Sequence, residues 1–200
     1  GEILKNKFFL DIGTPFYFFK TSKILKKLSK KPAVFFDRDN TLIKDKGYTF
    51  KTRDLRFKKN AINAIKYLIN KKYYIFLVTN QAGIAKGYFK EKDFINFQEF
   101  MRLKMEKKGA YFHDIEYCPY HPDSKLKKYK KNTELRKPGN MMIRNLENKW
   151  LENKSKSFMI GDSLKDKKTA KKSEIYFEYA KDNLLSQVKT IYKKLNLNTK

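Results

Sequence analysis

From residue 33 onward, short apolar runs alternate with longer segments whose apolar residues recur at helical spacing. The short runs suit buried strands, and the longer segments suit amphipathic helices. A helix between two strands lets them run in parallel, because it carries the chain back across the sheet. The alternation therefore predicts a parallel sheet with helices on both faces.

The individual elements follow from this pattern. Strands are predicted at residues 33–36, 74–78, 115–117, 158–160 and 175–179. Helices are predicted at residues 60–70, 91–107, 141–151, 164–172 and 182–195. We expect Asn60 to cap its helix. Five side chains of the 91–107 helix should face the core: Phe94, Phe97, Phe100, Met101 and Met105. The fold class is α/β: a doubly wound, Rossmann-like, three-layer fold with a central parallel sheet.

Acidic, hydroxyl and amide groups stand just past three of these strands. They are Asp37 and Asp39 after the first, Thr79 and Asn80 after the second, and Asp162 after the fourth. Parallel sheets of this kind carry their ligands beyond the carboxyl ends of the strands. We therefore expect these side chains to share one site.

Asp37 and Asp39 are two residues apart in an extended segment, so their side chains project to the same side. Two carboxylates this close repel, which favours a divalent cation or a shared proton. One can act as a nucleophile that forms an aspartyl-phosphate, and the other as a general acid and base. An Asp-rich turn after a strand is the structural alternative.

The other polar positions have comparable double interpretations. Asp162 can complete an oxygen-ligand set for Mg²⁺, while Asp162 or Ser163 can equally cap the following helix. Thr79 and Asn80 can hydrogen-bond phosphate oxygens. Lys137 can neutralise a transferring phosphoryl group, and the adjacent Arg136 can hold a second anionic group.

Taken in chain order, these positions resemble the motifs of the haloacid dehalogenase-like phosphatase superfamily. The matching residues are Asp37-Arg38-Asp39-Asn40-Thr41, Thr79, Lys137, and Gly161-Asp162 with Asp166. The resemblance implies Asp37 as nucleophile and Asp39 as general acid and base. It implies Mg²⁺ held by Asp37, the Asp39 backbone and Asp162, with Thr79 and Lys137 steadying the phosphoryl group and Arg136 recognising the substrate.

Longer stretches at residues 37–42, 45–48, 79–87, 117–122 and 136–138 resemble the heptose bisphosphate phosphatases and their histidinol-phosphatase relatives. That branch implies a phosphorylated sugar as substrate, D-glycero-D-manno-heptose 1,7-bisphosphate, in the synthesis of nucleotide-heptose and surface polysaccharide such as lipopolysaccharide. It adds Asp45, Asn80 and Gln81 to the substrate-binding residues. The short gap between the first two motifs implies no large cap domain.

The same branch often holds a structural zinc through a Cys-x-His and a Cys-x-Cys pair. Here Cys118 is present, but Tyr120 stands at the His position, with His121 one place later. Thr133 and Leu135 stand where the second pair is expected. We therefore predict no zinc, and a loop from residue 118 to 136 that is held by packing alone or is mobile.

The first 31 residues differ from the rest and predict an N-terminal extension, with residues 32–200 as the phosphatase-like domain. A strand and turn are expected at residues 8–15 and a helix at residues 18–28. The segment Phe9-Leu10-Asp11-Ile12-Gly13-Thr14-Pro15 resembles the closing strand of sugar-phosphate nucleotidyltransferases. That likeness implies fusion to, or association with, such an enzyme.

The net charge is +26, from 47 Lys and Arg against 21 Asp and Glu. A polyanion partner such as nucleic acid is one interpretation. Lysines scattered over every helix, which merely solvate the surface, are the favoured one. The rival functions are a histidinol-phosphate phosphatase, a polynucleotide 3′-phosphatase and a non-catalytic anion-binding module. No segment is predicted to span a membrane, and the single cysteine is typical of the cytoplasm.

Overall fold

A five-stranded parallel sheet forms the centre of the computed structural model, which describes residues 30–150 and 153–197. Its strands are β1 (Ala33–Phe36), β2 (Tyr74–Asn80), β3 (Asp114–Cys118), β4 (Phe158–Gly161) and β5 (Tyr176–Tyr179). The predictions for residues 1–29, including the nucleotidyltransferase-like tail, lie outside the described residues.

Six α-helices accompany these strands in the described part of the chain. They are α1 (Ala61–Asn70), α2 (Ala82–Ala85), α3 (Glu91–Glu106), α4 (Met141–Trp150), α5 (Leu164–Lys172) and α6 (Leu184–Leu197). Short 3-10 turns lie at Thr52–Asp54, Lys127–Tyr129 and Lys154–Lys156. Every predicted strand and helix from residue 33 onward is present, with ends that shift by up to two residues.

The strands lie in the order β3-β2-β1-β4-β5. The chain moves outward from β1 through β2 to β3 and then returns to place β4 on the other side of β1. Ligands of doubly wound sheets bind at such a reversal, in the crevice outside the carboxyl ends of the two neighbouring strands. The backbone N–H of Asp37, just past β1, donates to the carbonyl of Ile160 in β4 at 3.0 Å and holds the two ends together.

Alternate residues of β1 belong to two separate hydrophobic cores. Val34 and Phe36 lie in a core with α1, α3 and α6, whereas Ala33 and Phe35 lie in a core with α4 and α5. All four side chains are fully buried. Because successive side chains of a strand point to opposite faces, the helices form one layer on each side of the sheet. The predicted three-layer α/β fold is confirmed.

Two local predictions were wrong. Asn60 occupies the predicted N-cap position of α1, but it adopts the left-handed conformation (φ 57°) and its side chain does not make the expected capping bond. Its amide instead donates to the side chain of Asn183 at 3.1 Å, beside α6. In α3, Phe100 was expected to face the core but is only half-buried, whereas Gln98, which was not expected there, is buried.

The segment between β1 and α1 is a small irregular insertion, not a cap domain. Residues 37–60 contain isolated bridges from Ile43 to Asp39 and to Phe57, together with one 3-10 turn. The site beyond the strand ends is therefore covered by loops. Over residues 30–150 and 153–197, no helix combines the length and apolarity needed to cross a bilayer.

Candidate active site

A cavity of about 340 Å³ opens beyond the carboxyl ends of the strands. Of the predicted site residues, eight line it: Asp37, Asp39, Asp45, Asn80, Gln81, Arg136, Lys137 and Asp162. The ninth, Thr79, is fully buried at the end of β2. The structure thus brings together side chains that the sequence distributes over more than one hundred residues.

Lys137 is the centre of the site. Its ammonium group donates to Oδ1 of Asp37 at 2.6 Å, to Oδ1 of Asp166 at 2.6 Å and to the Val78 carbonyl at 2.9 Å. These three acceptors use all three of its protons. Burial by itself lowers the pKa of Lys137, but the charges of the two carboxylates outweigh it and raise that pKa. Lys137 is therefore a fixed cation beside the carboxylate of Asp37.

Asp37 is 6% exposed and lies at the base of the cavity. Burial raises its pKa, the charge of Lys137 opposes that rise, and the charges of Asp166 and Asp39 add to it. A buried carboxylate at the end of a strand, open to a cavity on one side and paired with a lysine, is placed to act as a nucleophile.

Asp166 is a site residue that the sequence analysis did not assign. Its Oδ2 accepts from the backbone N–H of Ser163 at 3.0 Å and from the Ser163 hydroxyl at 2.6 Å, so Ser163 caps α5. A Cβ on Gly161 would come within 2.4 Å of the Cβ and Cγ of Asp166, so only glycine allows this approach. The second Asp of Gly161-Asp162-x-x-x-Asp166 was the available signal.

Three carboxylates of the described chain could share a cation: Asp37, Asp162 and Asp166, with ligand oxygens within 4.8 Å of one another. Carboxylate oxygens are the ligands that Mg²⁺ takes in proteins, so this donor set fits it. Asp162 is exposed as a residue, but its carboxyl group is partly shielded from water. This desolvation is the main cause that raises its pKa, and the charge of Asp166 is the second. A cation there would relieve the repulsion among the three groups.

Asp39 lies apart from that group. Its carboxylate accepts from Nε and Nη2 of Arg38 at 2.9 and 3.0 Å, and from Nε2 of Gln81 at 3.3 Å. The Gln81 amide also donates to the Thr79 hydroxyl at 3.0 Å. Gln81 therefore links the Asp39 carboxylate to the Thr79 hydroxyl, and the predicted phosphate contacts of Gln81 and Thr79 stay predictions.

Comparisons with known proteins agree with this geometry. The family model described as "Polynucleotide kinase 3 phosphatase" matches residues 32–194. D-glycero-beta-D-manno-heptose-1,7-bisphosphate 7-phosphatase of Photorhabdus laumondii subsp. laumondii is 39% identical over 144 residues, which cover 72% of this chain and 77% of that protein. The chain belongs to the haloacid dehalogenase-like phosphatase family.

Two further relatives extend the comparison. The protein of the same name from Rhodopseudomonas palustris is 36% identical over 73% of this chain and 81% of that protein. The crystal structure of D,D-heptose 1.7-bisphosphate phosphatase from B. bronchiseptica, complexed with magnesium and phosphate, has a TM-score of 0.71. It is 19% identical and covers 82% of this chain and 99% of that one, which shows a shared fold.

Asn80 of this phosphatase holds the backbone of Lys137. Its Nδ2 donates to the Lys137 carbonyl and its Oδ1 accepts from the Lys137 N–H, both at 3.0 Å. This two-point contact fixes the loop that carries the lysine. Both polar atoms of the Asn80 side chain thus bond the Lys137 backbone. Its predicted contact with phosphate stays a prediction.

Asp45 and Arg136 lie at the rim of the phosphatase cavity. Asp45 accepts from the hydroxyl and the N–H of Thr49 at 2.6 and 2.9 Å. Burial raises its pKa, but the Thr49 bonds, a hydrogen bond from the Gly47 backbone and the charge of Arg38 together outweigh burial and lower that pKa. Arg136 donates to the Tyr120 carbonyl at 3.2 Å and is half-buried.

The residues at the positions where the sequence resemblance implies zinc ligands do not fit a zinc site. Cys118 is buried, which raises the pKa of its thiol, and the thiol points at the Tyr120 carbonyl at 3.8 Å. Nδ1 of His121 accepts from the Asp123 N–H at 3.1 Å. The remaining positions, Thr133 and Leu135, offer no thiolate or imidazole.

Hydrogen bonds as well as packing hold the loop at residues 118–136. The Glu91 carboxylate of α3 accepts from the hydroxyl of Tyr129, in the loop, and from that of Tyr117, in β3, each at 2.9 Å. The Ser124 hydroxyl donates to the Ala85 carbonyl at 2.7 Å. The expectation that packing alone holds this loop was wrong, because a carboxylate outside the loop fastens it.

Proposed function

We propose that this chain is a magnesium-dependent phosphomonoesterase that works through an aspartyl-phosphate on Asp37. The observation that carries the proposal is the buried Lys137 ammonium, 2.6 Å from both Asp37 and Asp166, at the base of a cavity that Asp39 also lines. A non-catalytic module needs no paired nucleophile and acid. The family membership supports the same reaction.

In the first step, a carboxylate oxygen of Asp37 attacks the phosphorus and the bond to the leaving oxygen breaks. The leaving oxygen keeps the electron pair and takes a proton from the Asp39 carboxyl group. In the second step, Asp39 removes a proton from water, whose oxygen attacks the phosphorus. The bond to Asp37 breaks, which releases inorganic phosphate and restores both carboxyl groups.

Lys137 keeps the Asp37 carboxylate oriented and supplies positive charge beside the phosphoryl group. Asp37 and Asp162 would hold Mg²⁺, with the Asp39 backbone as the third protein ligand that the family resemblance implies and Asp166 supporting the site. When bound, the metal neutralises charge on the phosphoryl oxygens. Thr79 is proposed to contact the phosphoryl group, as the same resemblance implies.

The proposed substrate is D-glycero-D-manno-heptose 1,7-bisphosphate, the substrate class in the names of relatives up to 39% identical. Arg136, Asp45, Asn80 and Gln81 are proposed to contribute to its binding. We place the reaction in the cytoplasm, which the single cysteine supports. Residues 1–31 are proposed as an extension related to a sugar nucleotidyltransferase.

The decisive experiment is an assay of Mg²⁺-dependent phosphate release for wild type and Asp37→Asn. The substrates are the heptose bisphosphate, histidinol phosphate and a DNA oligonucleotide with a 3′-phosphate. We expect wild type to prefer the bisphosphate and Asp37→Asn to be inactive. Asp182→Asn is the matched control, because that carboxylate is exposed and lies 4.0 Å from Lys58. Equal rates for wild type and Asp37→Asn would refute the mechanism.

A second candidate is a polynucleotide 3′-phosphatase. The description of the matching family model and the net charge of +26 favour it. A protein that contacts several phosphates loses affinity steeply as salt rises. Preference for the oligonucleotide, with kcat/KM falling steeply between low and moderate salt, would replace the sugar by a nucleic acid as substrate.

A further inference from the structure

Arg38 stands between the two carboxylates of the first motif and points away from the cavity that they line. We propose that Arg38 is a positioning residue, which orients the Asp39 carboxyl group for proton transfer to the leaving oxygen. This inference rests on the proposed phosphatase reaction. It is carried by the contacts of a guanidinium group that is 0% exposed.

Arg38 and Asp39 make a two-point contact. Nε donates to Oδ1 at 2.9 Å and Nη2 donates to Oδ2 at 3.0 Å. The guanidinium is planar and rigid, so two parallel bonds fix the plane of the carboxylate as well as its distance. A lysine at this position would supply the charge without fixing the plane.

The surroundings of Arg38 leave the guanidinium little freedom. Nη2 also donates to the Thr49 carbonyl at 2.9 Å. The guanidinium carbon lies 5.5 Å from the Phe94 ring and 5.1 Å from the Phe97 ring, both on α3. The core therefore holds Arg38, and Arg38 holds Asp39.

The two side chains of the pair differ in their exposure to solvent, and a purely structural ion pair does not require such a difference. The Arg38 side chain is fully buried, whereas the Asp39 side chain is 25% exposed and lines the cavity. The buried partner thus presents the carboxylate to the substrate side. Nη1 of Arg38 has no hydrogen-bond partner among the described protein atoms. Asp39 is therefore the one side chain among the described residues to which the Arg38 guanidinium donates, through Nε and Nη2.

The hydrogen bonds distinguish the two oxygens of Asp39. Oδ2 accepts from Arg38 and, at 3.3 Å, from Gln81, whereas Oδ1 accepts from Arg38 alone among the described residues. Each carboxylate oxygen has two lone pairs. The geometry therefore leaves Oδ1 with an open position, and we assign the transferred proton to it.

The substrate's leaving group provides the test. An alkoxide leaving group needs the proton from Asp39, whereas p-nitrophenolate is stable enough to leave without it. The value of kcat/KM depends only on the steps from substrate binding to the departure of the leaving group. That departure is the step in which Asp37 takes the phosphoryl group. A misplaced Asp39 should therefore lower kcat/KM for a sugar phosphate and leave kcat/KM for p-nitrophenyl phosphate nearly unchanged.

The experiment compares Arg38→Met and Arg38→Lys with wild type on both substrates. General acid catalysis contributes roughly 100-fold or more. We expect Arg38→Met to lose roughly that factor on the sugar phosphate and less than about threefold on p-nitrophenyl phosphate. Arg38→Lys should fall between Arg38→Met and wild type on the sugar phosphate. Equal losses on both substrates would overturn the proposal.

A double-mutant cycle with Asp39→Asn tests whether Arg38 acts through Asp39. In that background Arg38→Met should cause no further loss on the sugar phosphate, and an additive loss would contradict the proposal. Arg102→Met is the control, because Arg102 also pairs with carboxylates, Glu99 and Glu106, but on the exposed side of α3.

Circular dichroism and thermal unfolding confirm that each variant is folded. If Arg38→Met does not fold, the Arg38→Lys ratio between the two substrates decides the question. A wild type that hydrolyses neither substrate would refute the proposed function itself. An active wild type whose Arg38 variants lose activity uniformly would refute only the role of Arg38.

Discussion

The base of the cavity and the loop at residues 118–136 are held by different kinds of interaction. At the base, Lys137 is 3% exposed and bonds two carboxylates from the ends of other elements, 100 and 29 residues away in sequence. In the loop, the neutral hydroxyl of Tyr129 bonds the half-buried Glu91 of α3, and the exposed Lys128 ammonium lies 3.9 Å from the same carboxylate. The side chains at the base depend on buried charge that tolerates little change. The loop lacks a zinc ligand set at Cys118, Tyr120, Thr133 and Leu135, and hydrogen bonds to Glu91 and Ala85 hold it instead.

Metal removal should separate the two regions most strongly. Chelation should abolish phosphate release, and added Mg²⁺ should restore it, because three carboxylates lie within 4.8 Å of one another. The loop should be unaffected, with no stoichiometric zinc in the purified protein by mass spectrometry. Stoichiometric zinc bound at Cys118 would contradict the comparison.

Replacing the lysine at the base should damage both activity and stability. Lys137→Met leaves Asp37 and Asp166 as buried carboxylates without their cation. We expect kcat to fall by roughly 100- to 1,000-fold. The free energy of unfolding should fall by about 3–5 kcal/mol. Steady-state kinetics and urea unfolding measure the two effects.

The exposed Lys168, on α5, provides the matched control for that variant. Lys168→Met should leave kcat within about twofold of wild type, because a surface charge away from such features contributes little. A Lys137→Met protein with wild-type kcat would show that the buried cation has no catalytic part.

Weakening the fastening of the loop should have a smaller and different effect. Glu91→Gln removes the charge and one of two acceptor oxygens, of which Oε1 accepts from Tyr117 and Oε2 from Tyr129. We expect the free energy of unfolding to fall by about 1–2 kcal/mol. Because the loop carries Arg136, KM for the sugar phosphate should rise while kcat stays nearly constant.

Glu99→Gln is the control for this loop variant, since Glu99 pairs with Arg102 at an exposed position. Its effect on stability should stay below about 1 kcal/mol. A fall in kcat for Glu91→Gln, with KM unchanged, would mean that the loop and the base are not separable.

The smallest expected effect concerns Asp45 at the rim. Its folded-state pKa lies below the ordinary value, so it stabilises the fold above the unfolded-state pKa of about 4. That contribution is lost as the pH falls through the lower folded-state pKa. Between pH 5 and pH 3, wild type should lose up to about 1 kcal/mol more than Asp45→Asn. Urea unfolding at each pH measures this difference, and parallel curves would exclude it.

Much of the fold and part of the site could be predicted from residue patterns. The strand at Ala33–Phe36 and the helix at Leu164–Lys172 have the predicted ends, because apolar runs and helical periodicity are local properties. The gathering of Asp37, Thr79 and Asp162 follows from parallel strands, whose carboxyl ends share one edge of the sheet. The helix-capping rule did not predict the hydrogen bond of the Asn60 side chain, because its partner, Asn183, lies far away in sequence.

The amino-acid sequence by itself determined the fold class, the family and the side chains delivered to the carboxyl edge of the sheet. The motif of Asp37, Arg38 and Asp39 needed only the order of residues. The tertiary structure decided which of these side chains contact one another: Asn80 holds the Lys137 backbone, the Arg38 guanidinium packs against Phe94 and Phe97 of α3, and Glu91 bonds Tyr129 of the 118–136 loop. Such pairings depend on distances between elements remote in sequence, and periodicity carries no information about those distances.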